Sequence, residues 1–300
     1  MALNAKNLNE EEFFFGHKAC PGCGGSLALR IALKVLGERS VAVIPAGCMS
    51  AVSFNFPQLC FSNNAIISTF AGTASMLTGI EAGLRAQGIT DFQAVGLAGD
   101  GGTADIGIQA LSGAIDRNDN ILYICYDNEA YMNTGTQRSS ATPRFASATT
   151  TPAGVESVGK KQNQKDLTQI VVAHGSPYVA QTTFLGNFKD FHEKAHKAIY
   201  TEGPTFVNVL CPCPRGWQYS AELLPEICRL AVDTCIWPLY EVENGEYHLT
   251  YMPKKKLPVE EFMKLQGRFR HCFKPGNEWT IEAAQNYVDE KWEALLAKCK

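Results

Sequence analysis

The sequence predicts an α/β protein built on an open, mostly parallel β-sheet with helices on both faces. Three observations support this fold class. A strand, loop, helix and strand follow one another within residues 93–126, apolar segments of strand length recur later, and helical segments separate most of them. With 300 residues and 45% hydrophobic content, the chain is also long enough to bury a large core.

The first part of the chain alternates between helical and extended patterns. Apolar spacing predicts a helix at Gly25–Leu36, and the apolar run Val41–Ala46 predicts a strand that ends at Gly47 and Cys48. Residues Ser68–Leu84 are rich in small side chains, which indicates a helix packed closely against a neighbouring element or a ligand.

The central unit is the most regular part of the sequence. An apolar strand at Gln93–Ala98 leads through the turn Gly99–Gly102 into a helix at Ala104–Asp116, and a second strand follows at Ile121–Tyr126. This order is typical of a parallel sheet, whose strands need a crossover connection. Further elements are predicted later in the chain: strands at Ile170–Ala173, Tyr178–Gln181 and Thr205–Leu210, and a helix at Phe188–Thr201.

Two segments depart from this alternation. Residues Thr134–Lys165 are polar and lack periodicity over a length that is unusual for a connection in a compact domain, which indicates a functional or disordered loop. After Trp217 the pattern weakens into a tail that ends in an amphipathic helix at Thr280–Leu296. We therefore predict a main domain at residues 1–216 and a C-terminal extension at residues 217–300.

Composition and charge argue against several classes of protein. A net charge of −3 provides no basic surface for nucleic acid, so we expect no such partner. No apolar run approaches the roughly 18 residues of a membrane span, and the acidic N-terminal segment lacks the basic and apolar regions of a signal peptide. Eleven cysteines in such a chain favour metal ligation and buried thiols over disulfides, as expected of a cytoplasmic protein.

Each strand of the central unit ends on a candidate metal ligand. Asp100 comes directly after one strand, and Asp127 and Asn128 come after the other. Since parallel strands share one carboxyl edge, these groups should meet where open α/β sheets bind ligands. Carboxylate and amide oxygens suit Mg²⁺. Nearby glycines would let a diphosphate approach the backbone closely: Gly99, Gly101 and Gly102.

The Gly-Asp-Gly sequence is weak evidence when it stands alone, because many turns contain it. A phosphatase-like magnesium site with Asp100 as the nucleophile is a second interpretation of the same residues. Such a site normally gathers further acidic side chains, and the sequence does not supply them near this turn.

Cysteines form a second candidate site. Cys20 and Cys23 form a C-x-x-C pair flanked by glycine, which suits zinc, a redox pair or half of an iron–sulfur cluster. Cys48 and Cys213 each lie where a predicted strand ends in a turn, so four thiols would be able to converge. Cys211 lies two residues before Cys213 and is an alternative to it.

The remaining cysteines have no comparable sequence context. We interpret them as buried or incidental thiols, because a free cysteine packs as a small hydrophobic residue: Cys60, Cys125, Cys228, Cys235, Cys272 and Cys299. His17 lies beside the first cysteine pair, and we interpret it as a structural histidine.

Taken in order, these motifs resemble the thiamine-diphosphate subunit of the pyruvate:ferredoxin oxidoreductase family. The thiamine-diphosphate fingerprint is similar to GDGGTADIGIQALSGAIDRNDNILYICYDNEAYMNTGTQ. Three cysteine segments of the family resemble GHKACPGCG, GCMSAV and CPRGW. The resemblance covers nearly the whole chain and implies the thiamine-diphosphate-binding fold.

The resemblance also implies roles for individual residues. Asp100, the side chain of Asn128 and the backbone carbonyl of Ala130 would bind Mg²⁺, with Asn128 favoured over Asp127. Asn133 would face the thiazolium ring and the substrate as a catalytic residue. The family's fourth cysteine ligand immediately precedes Pro-x-Gly-Trp, so the implied [4Fe–4S] ligands are Cys20, Cys23, Cys48 and Cys213.

The family's activity implies several partners. A pyruvate synthase reversibly converts pyruvate and coenzyme A to acetyl-CoA and CO₂ and passes electrons to ferredoxin. We expect a pyrimidine-binding α-type subunit, because the chain contains no second α/β unit of that kind. A γ-type subunit and a δ-type, two-cluster ferredoxin-like subunit are also implied, since the two-cluster motif is missing here. The segment Ser139–Lys165 and the tail after Trp217 are the predicted docking elements.

Two alternatives to pyruvate synthase stay open. The first is a member of the same family that uses oxalate, a branched-chain 2-oxoacid or an aryl glyoxylate instead of pyruvate. The chain would otherwise be a non-catalytic zinc or iron–sulfur scaffold subunit. The presence of Asp100, Asn128 and Asn133 argues against a scaffold that has lost its cofactor.

Overall fold

A computed structural model of the chain describes residues 12–186 and 188–299, so most of the N-terminal segment discussed above lies outside it. The strands are β1 Ser40–Pro45, β2 Phe54–Asn55, β3 Gln58–Leu59, β4 Asn64–Ser68, β5 Gln93–Gly99, β6 Leu122–Asp127, β7 Tyr178–Thr182, β8 Thr205–Leu210, β9 Tyr240–Glu243 and β10 Glu246–Leu249. The α-helices are α1 Gly24–Leu36, α2 Cys48–Ser53, α3 Thr73–Ala86, α4 Ile108–Asp116, α5 Leu167–Ala173, α6 Lys189–Tyr200, α7 Pro214–Trp217, α8 Leu224–Asp233, α9 Val259–Met263 and α10 Glu278–Leu296. A π-helical turn at Gly101–Asp105 precedes α4, and 3₁₀ segments lie at Ala221–Leu223 and Gly267–Phe273.

Eight of the strands form one sheet, in the order β10-β9-β7-β8-β6-β5-β1-β4. The six strands from β7 to β4 run parallel to one another. The two at the other edge, β9 and β10, are antiparallel to their neighbours. The short strands β2 and β3 form a separate hairpin. The predicted fold class, an open and mostly parallel sheet, is confirmed.

The central strands place alternate residues in two hydrophobic cores, one on each face of the sheet. In β6, Tyr123 and Cys125 belong to the first core, whereas Leu122, Ile124 and Tyr126 belong to the second. This burial on both faces is characteristic of parallel sheets. Side chains of α3, α4 and α10 contribute to the first core, and those of α1 and α6 to the second.

The strand predicted at Ile170–Ala173 is wrong, because these residues lie in α5. The side chain of Asp166 caps this helix by accepting a hydrogen bond from the backbone N–H of Gln169 at 3.2 Å. A short apolar run cannot by itself distinguish a buried strand from a buried helix turn. An N-cap residue such as Asp166, shortly before the run, is the local feature that indicates a helix.

The helix predicted at Ser68–Leu84 begins later than expected. Ser68 ends the edge strand β4, and the backbone N–H of Gly72 donates to the carbonyl of Thr69 at 3.0 Å to close a turn. The helix α3 then starts at Thr73. The small residues therefore divide between a strand end, a turn and a helix.

The segment after Trp217 joins the main sheet and the first core. Strand β9 pairs with β7 and places Val242 opposite Val179. Trp237 and Trp292 are buried in the first core. The boundary at residue 217 stays a prediction, but these contacts make the extension part of the same packed body. Within the described part of the chain, every helix is too short or too polar to cross a bilayer.

Candidate functional site

Four neighbouring strands deliver the predicted ligands to one edge of the sheet. Strands β8, β6, β5 and β1 lie side by side in that order. Asp100 directly follows β5, and Asn128 directly follows β6. Cys213 and Cys48 come shortly after β8 and β1. Because these four strands are parallel, the metal-ligand candidates and two of the cysteines share one carboxyl edge.

Three acceptor oxygens meet at the ends of β5 and β6. The side-chain oxygen of Asn128 lies 2.9 Å from the carbonyl oxygen of Ala130 and 3.1 Å from Oδ1 of Asp100, with no donor between them. If the amide were turned over, its NH₂ group would donate to both oxygens. With the oxygen inward, a cation bound by the three acceptors would satisfy them instead.

The spacing of these oxygens fits a small divalent ion. Oxygens that bind Mg²⁺ at about 2.1 Å in a regular octahedron lie about 3.0 Å apart along its edges. The two distances at Asn128, 2.9 and 3.1 Å, agree with that edge length. The orientation of an amide is assigned from its surroundings, and a cation would select the inward oxygen. The predicted trio is therefore brought together with suitable chemistry and spacing.

Asp100 is almost completely buried, with 1% of its surface exposed. Burial raises the pKa of its carboxyl to about 7, although a hydrogen bond from Ser139 opposes the shift. The hydroxyl of Ser139 donates to Oδ2 at 2.5 Å, whereas Oδ1 lies 3.1 Å from the side-chain amide of Asn128. A buried carboxylate is costly unless a cation or donors offset its charge, so this environment suits a metal ligand.

The irregular segment that supplies Ser139 is held over the end of β5 by hydrogen bonds. The ammonium of Lys160 donates to the carbonyls of Ser140, at 2.8 Å, and Thr142. The hydroxyl of Thr142 donates to the carbonyl of Glu129 at 2.6 Å. The sequence identified this loop by its length and polarity, but nothing in the pattern singled out Ser139.

The three glycines around Asp100 contact aromatic rings. A Cβ atom at Gly101 would lie 2.5 Å from Cε1 of Tyr131, and one at Gly102 would lie 3.2 Å from a ring carbon of Phe70. A Cβ at Gly99 would meet the ring of Tyr126 at 3.0 Å. Close packing thus explains why these positions lack a side chain. Their contact with a diphosphate stays a prediction.

Asn133 lies on an exposed turn beyond the trio. The backbone N–H of Tyr131 donates to the carbonyl of Gln137 at 2.9 Å, which closes the turn at its base. Asn133 is therefore held near the site on a chain segment that follows Ala130 directly. Its predicted catalytic role stays a prediction.

The four predicted cluster ligands are more exposed than the other cysteines, apart from Cys299. Cys20 is exposed, and Cys23, Cys48 and Cys213 are partly buried. The backbone N–H of Cys23 donates to the carbonyl of Cys20 at 3.1 Å, which forms a tight turn. Burial raises the pKa of Cys48 to about 12, and the charges of nearby Cys213 and Cys23 add to the shift. Cys20 contributes to the same shift, so all four thiols lie close enough for their charges to interact.

Cys211 and Cys213 occupy different environments. Cys211 is fully buried in the second core, where a Cβ atom at Gly24 would lie 2.8 Å from its Cα. Cys213 caps α7, and its Sγ accepts a hydrogen bond from the backbone N–H of Gly216 at 3.4 Å. The packing therefore favours Cys213 as the accessible ligand. Among residues 12–186 and 188–299, no three Cys, His, Asp or Glu side chains converge on a single metal position.

The other cysteines and His17 have structural surroundings. The ring of His17 stacks on Phe14 at 4.7 Å, and its Nδ1 accepts a hydrogen bond from the backbone of Ala19. Cys299 is partly buried. The others are buried, in keeping with the interpretation from sequence: Cys60, Cys125, Cys228, Cys235 and Cys272.

Comparisons with known proteins agree with this architecture. A family described as thiamine pyrophosphate enzymes, C-terminal TPP binding domain, matches residues 45–209. The chain is 46% identical over 289 residues to pyruvate synthase subunit PorB of Methanothermobacter thermautotrophicus, covering 96% of this chain and 99% of that protein. It is 47% identical over 293 residues to ketoisovalerate oxidoreductase subunit VorB of Pyrococcus horikoshii, covering 95% of this chain and 93% of that protein.

A solved structure shares the fold. The 2-oxoglutarate:ferredoxin oxidoreductase from Magnetococcus marinus aligns with a TM-score of 0.57 at 22% identity, covering 76% of this chain and 80% of that chain. Together with the identities above, which extend over nearly the full length of PorB and VorB, this settles the family. The chain belongs to the thiamine pyrophosphate-binding β subunits of the 2-oxoacid:ferredoxin oxidoreductases.

Proposed function

We propose that this chain is the thiamine-diphosphate-binding subunit of a pyruvate synthase and that it acts with partner subunits. The observation that carries the proposal is the set of three acceptor oxygens from Asp100, Asn128 and Ala130, spaced like the edge of a magnesium octahedron. This set lies at the same sheet edge as the four neighbouring thiols.

In this proposal, Asp100, Asn128 and Ala130 hold Mg²⁺, and the diphosphate of the cofactor supplies further oxygens. Ser139 holds the other carboxylate oxygen of Asp100, so that Oδ1 keeps its direction. When bound, thiamine diphosphate supplies the nucleophilic carbon for the 2-oxo group and the sink for the electrons left by CO₂. Asn133 would hydrogen-bond the substrate at this edge.

The four thiols of Cys20, Cys23, Cys48 and Cys213 would hold a [4Fe–4S] cluster that receives the electrons. Their partial exposure and electrostatic proximity support this ligand set. The burial of Cys211 in the second core supports Cys213 as the fourth ligand. The eleven free thiols also support a reducing, cytoplasmic location.

The exposure of Asn133 supports an active site that a partner subunit completes. We infer that the partners are a pyrimidine-binding α-type, a γ-type and a two-cluster δ-type subunit, with ferredoxin as the electron acceptor and coenzyme A as co-substrate. The relatives themselves are named as subunits, which supports a multi-subunit enzyme.

The substrate has two candidates. Relatives named pyruvate synthase and ketoisovalerate oxidoreductase are almost equally similar to the chain, at 46% and 47% identity. Three pyruvate synthase subunits and three ketoisovalerate oxidoreductase subunits are 45% or more identical to the chain over nearly their full length. We propose pyruvate, because two further relatives, with 44% and 43% identity, are also pyruvate synthase subunits. A branched-chain 2-oxoacid is the second candidate.

The test uses the complex purified anaerobically with its partner subunits. Reduction of methyl viologen in the presence of coenzyme A should have its highest kcat/KM with pyruvate in a panel that includes 2-ketoisovalerate and 2-oxoglutarate. A higher kcat/KM for 2-ketoisovalerate would establish the second candidate. A complex that retains thiamine diphosphate but oxidises no 2-oxoacid would contradict the proposal.

A charge-removing variant tests the metal site directly. Asp100→Asn should abolish Mg²⁺-dependent retention of thiamine diphosphate while the iron content is unchanged, because this carboxylate is not one of the proposed cluster ligands. Asp116→Asn, on an exposed position at the end of α4, is the matched control and should bind the cofactor normally. Full cofactor retention in Asp100→Asn would overturn the assignment of the metal site.

A further inference from the structure

Arg268 is a buried cation beneath the turn that carries two of the proposed magnesium ligands. It belongs to the 3₁₀ segment Gly267–Phe273 of the C-terminal part of the chain, and only 2% of its surface is exposed. Its Nη2 lies 2.6 Å from Oε2 of Glu129. Both side chains are buried, and the contact is an ion pair whose angles lie outside ordinary hydrogen-bond geometry.

Glu129 lies between Asn128 and Ala130, so its conformation sets how these two ligands face the same point. Its backbone is in the left-handed region, with φ of +62°. Its N–H donates to Oδ1 of Asp127 at 3.0 Å. A non-glycine residue keeps such a conformation only where its surroundings hold it there. The ion pair with Arg268 is one of these contacts.

Trp217 contacts the same turn. Its indole Nε1–H donates to the backbone carbonyl of Asn128 at 2.9 Å. The guanidinium carbon of Arg268 lies 3.8 Å from the centre of the Trp217 ring, within the range of a cation–π contact. Arg268 therefore contacts two residues of or next to the turn. It forms an ion pair with Glu129 and stacks on the ring of Trp217.

Trp217 also links the turn 128–130 to Cys213 along the chain. Trp217 ends the short helix α7, which Cys213 caps at its beginning. Arg268 itself makes none of the described contacts with Asp100 or with the oxygens of Asn128 and Ala130 that face the metal position. Any influence it has on the metal must pass through Glu129 and Trp217.

We propose that Arg268 is a positioning residue for the magnesium–diphosphate site. It holds the turn 128–130 so that the side-chain oxygen of Asn128 and the carbonyl of Ala130 keep their spacing. This inference rests on the proposed function of the site. Loss of the guanidinium would leave Glu129 buried without its cation and Trp217 without its stacked partner, and the turn would relax.

The test measures metal affinity instead of activity, using Mn²⁺ as a paramagnetic replacement for Mg²⁺. Free Mn²⁺ is titrated by electron paramagnetic resonance against the anaerobically purified complex in the presence of thiamine diphosphate. Arg268→Met should weaken Mn²⁺ binding by about 10- to 100-fold, as is usual for residues that support metal ligands. Arg268→Lys should recover part of that loss, because it restores the charge beside Glu129.

Arg270→Met is the matched control, since Arg270 lies on the same 3₁₀ segment but is exposed. It should bind Mn²⁺ with wild-type affinity. If Arg268→Met does not fold, the double variant Arg268→Met/Glu129→Gln removes both charges together and should still bind Mn²⁺ weakly. Melting temperature and iron content are measured in parallel for each variant.

Two results would overturn the inference and can be told apart. Wild-type Mn²⁺ affinity in Arg268→Met, or in the double variant, accompanied by a lowered melting temperature would make Arg268 a stabilising residue only. A wild-type complex that shows no Mn²⁺ binding dependent on thiamine diphosphate would overturn the proposed function, and the inference with it.

Discussion

The buried carboxyls at the sheet edge are the most costly electrostatic feature of individual residues in the structure. Asp100 and Asp127 are both buried, and burial raises the pKa of each, well above the ordinary value in Asp127. The negative charge of Asp100 also raises the pKa of Asp127, and the charges of Glu129 and Asp105 raise the pKa of Asp100. A divalent cation at Oδ1 of Asp100 would offset this repulsion, which makes the site a stronger one for Mg²⁺ than for a neutral ligand.

Ser139 offers a test of how the carboxylate is oriented. Ser139→Ala removes the donor to Oδ2 of Asp100, so the carboxylate gains freedom to rotate. We expect affinity for Mg²⁺ and thiamine diphosphate to fall by about 10-fold, measured by calorimetric titration of the complex. The neighbouring Ser140→Ala is a matched control, because the Ser140 hydroxyl has no hydrogen-bond partner among the described residues. Equal affinities for both variants would contradict this role.

Lys160 makes the stability of the chain depend on pH in a specific direction. Burial, together with the nearby charge of Arg138, lowers the pKa of Lys160 from 10.5 to about 8. Between these two values the unfolded chain holds more protons than the folded one, so the contribution of Lys160 to the unfolding free energy rises with pH. Below about 8, both states are protonated and this contribution is constant.

The comparison of wild type with Lys160→Met isolates this effect. The unfolding free energy of the wild type, minus that of Lys160→Met, should increase between pH 8 and 10. The increase should be at most about 1.4 kcal/mol per pH unit. Chemical denaturation at several pH values measures it. A difference that stays constant across this range would show that Lys160 titrates as it does in the unfolded chain.

The order of the strands in the sheet determines which residues meet at the candidate site. Because β8, β6, β5 and β1 are neighbours, residues far apart in the sequence reach one edge. Sequence reasoning could place Asp100 and Asn128 there, since the strand before each was clear. It also placed Cys48 and Cys213 at strand ends, but it could assign them to one cluster only by resemblance, because no local pattern reveals which strands become neighbours.

The sequence did not predict strands β4, β9 and β10, because their local sequence patterns are weak. Strand β4 leaves Ile66 and Ile67 exposed at the sheet edge, so it lacks the alternation that marks a half-buried strand. Strands β9 and β10 are only four residues long and follow a segment without clear periodicity. Arg268 had no signal at all, since its function depends on contacts with Glu129 and Trp217 that only the tertiary fold creates.

The choice between Cys211 and Cys213 as the fourth cluster ligand is open to a direct test. Cys213→Ala should lower the iron content of the complex, because it removes the proposed, partly buried cluster ligand at the start of α7. Cys211→Ala should retain iron and lose about 1 kcal/mol of stability through a small cavity in the second core. Iron analysis and thermal unfolding of both variants measure these outcomes. Iron loss in Cys211→Ala alone would move the fourth ligand to the core position.

For the whole molecule, the C-terminal segment is an integral part of the fold. It supplies two strands, several aromatic residues of the first core, and Arg268, which pairs with Glu129 in the turn 128–130. The predicted docking function of residues 217–300 remains a prediction. The contacts add a second role, because the segment also supports the main domain.

Truncation after residue 216 tests this integration. We expect the shortened chain to lose cooperative unfolding and to be recovered mainly as aggregate, because β7 loses its partner β9 and the first core is opened. Circular dichroism with thermal melting, compared with the full-length chain, measures the outcome. A truncated chain that unfolds cooperatively at the same temperature would show that residues 217–300 are a separable extension.

The central claim is that one subunit holds a magnesium–diphosphate site and an iron–sulfur cluster at the same sheet edge. Its most direct test is parallel quantification of thiamine diphosphate and iron in the anaerobic complex carrying wild-type, Asp100→Asn or Cys48→Ser chains. We predict that Asp100→Asn loses thiamine diphosphate and keeps its iron, whereas Cys48→Ser loses up to about four iron atoms per chain and keeps the cofactor. Unchanged iron in Cys48→Ser, or unchanged thiamine diphosphate in Asp100→Asn, would contradict the claim.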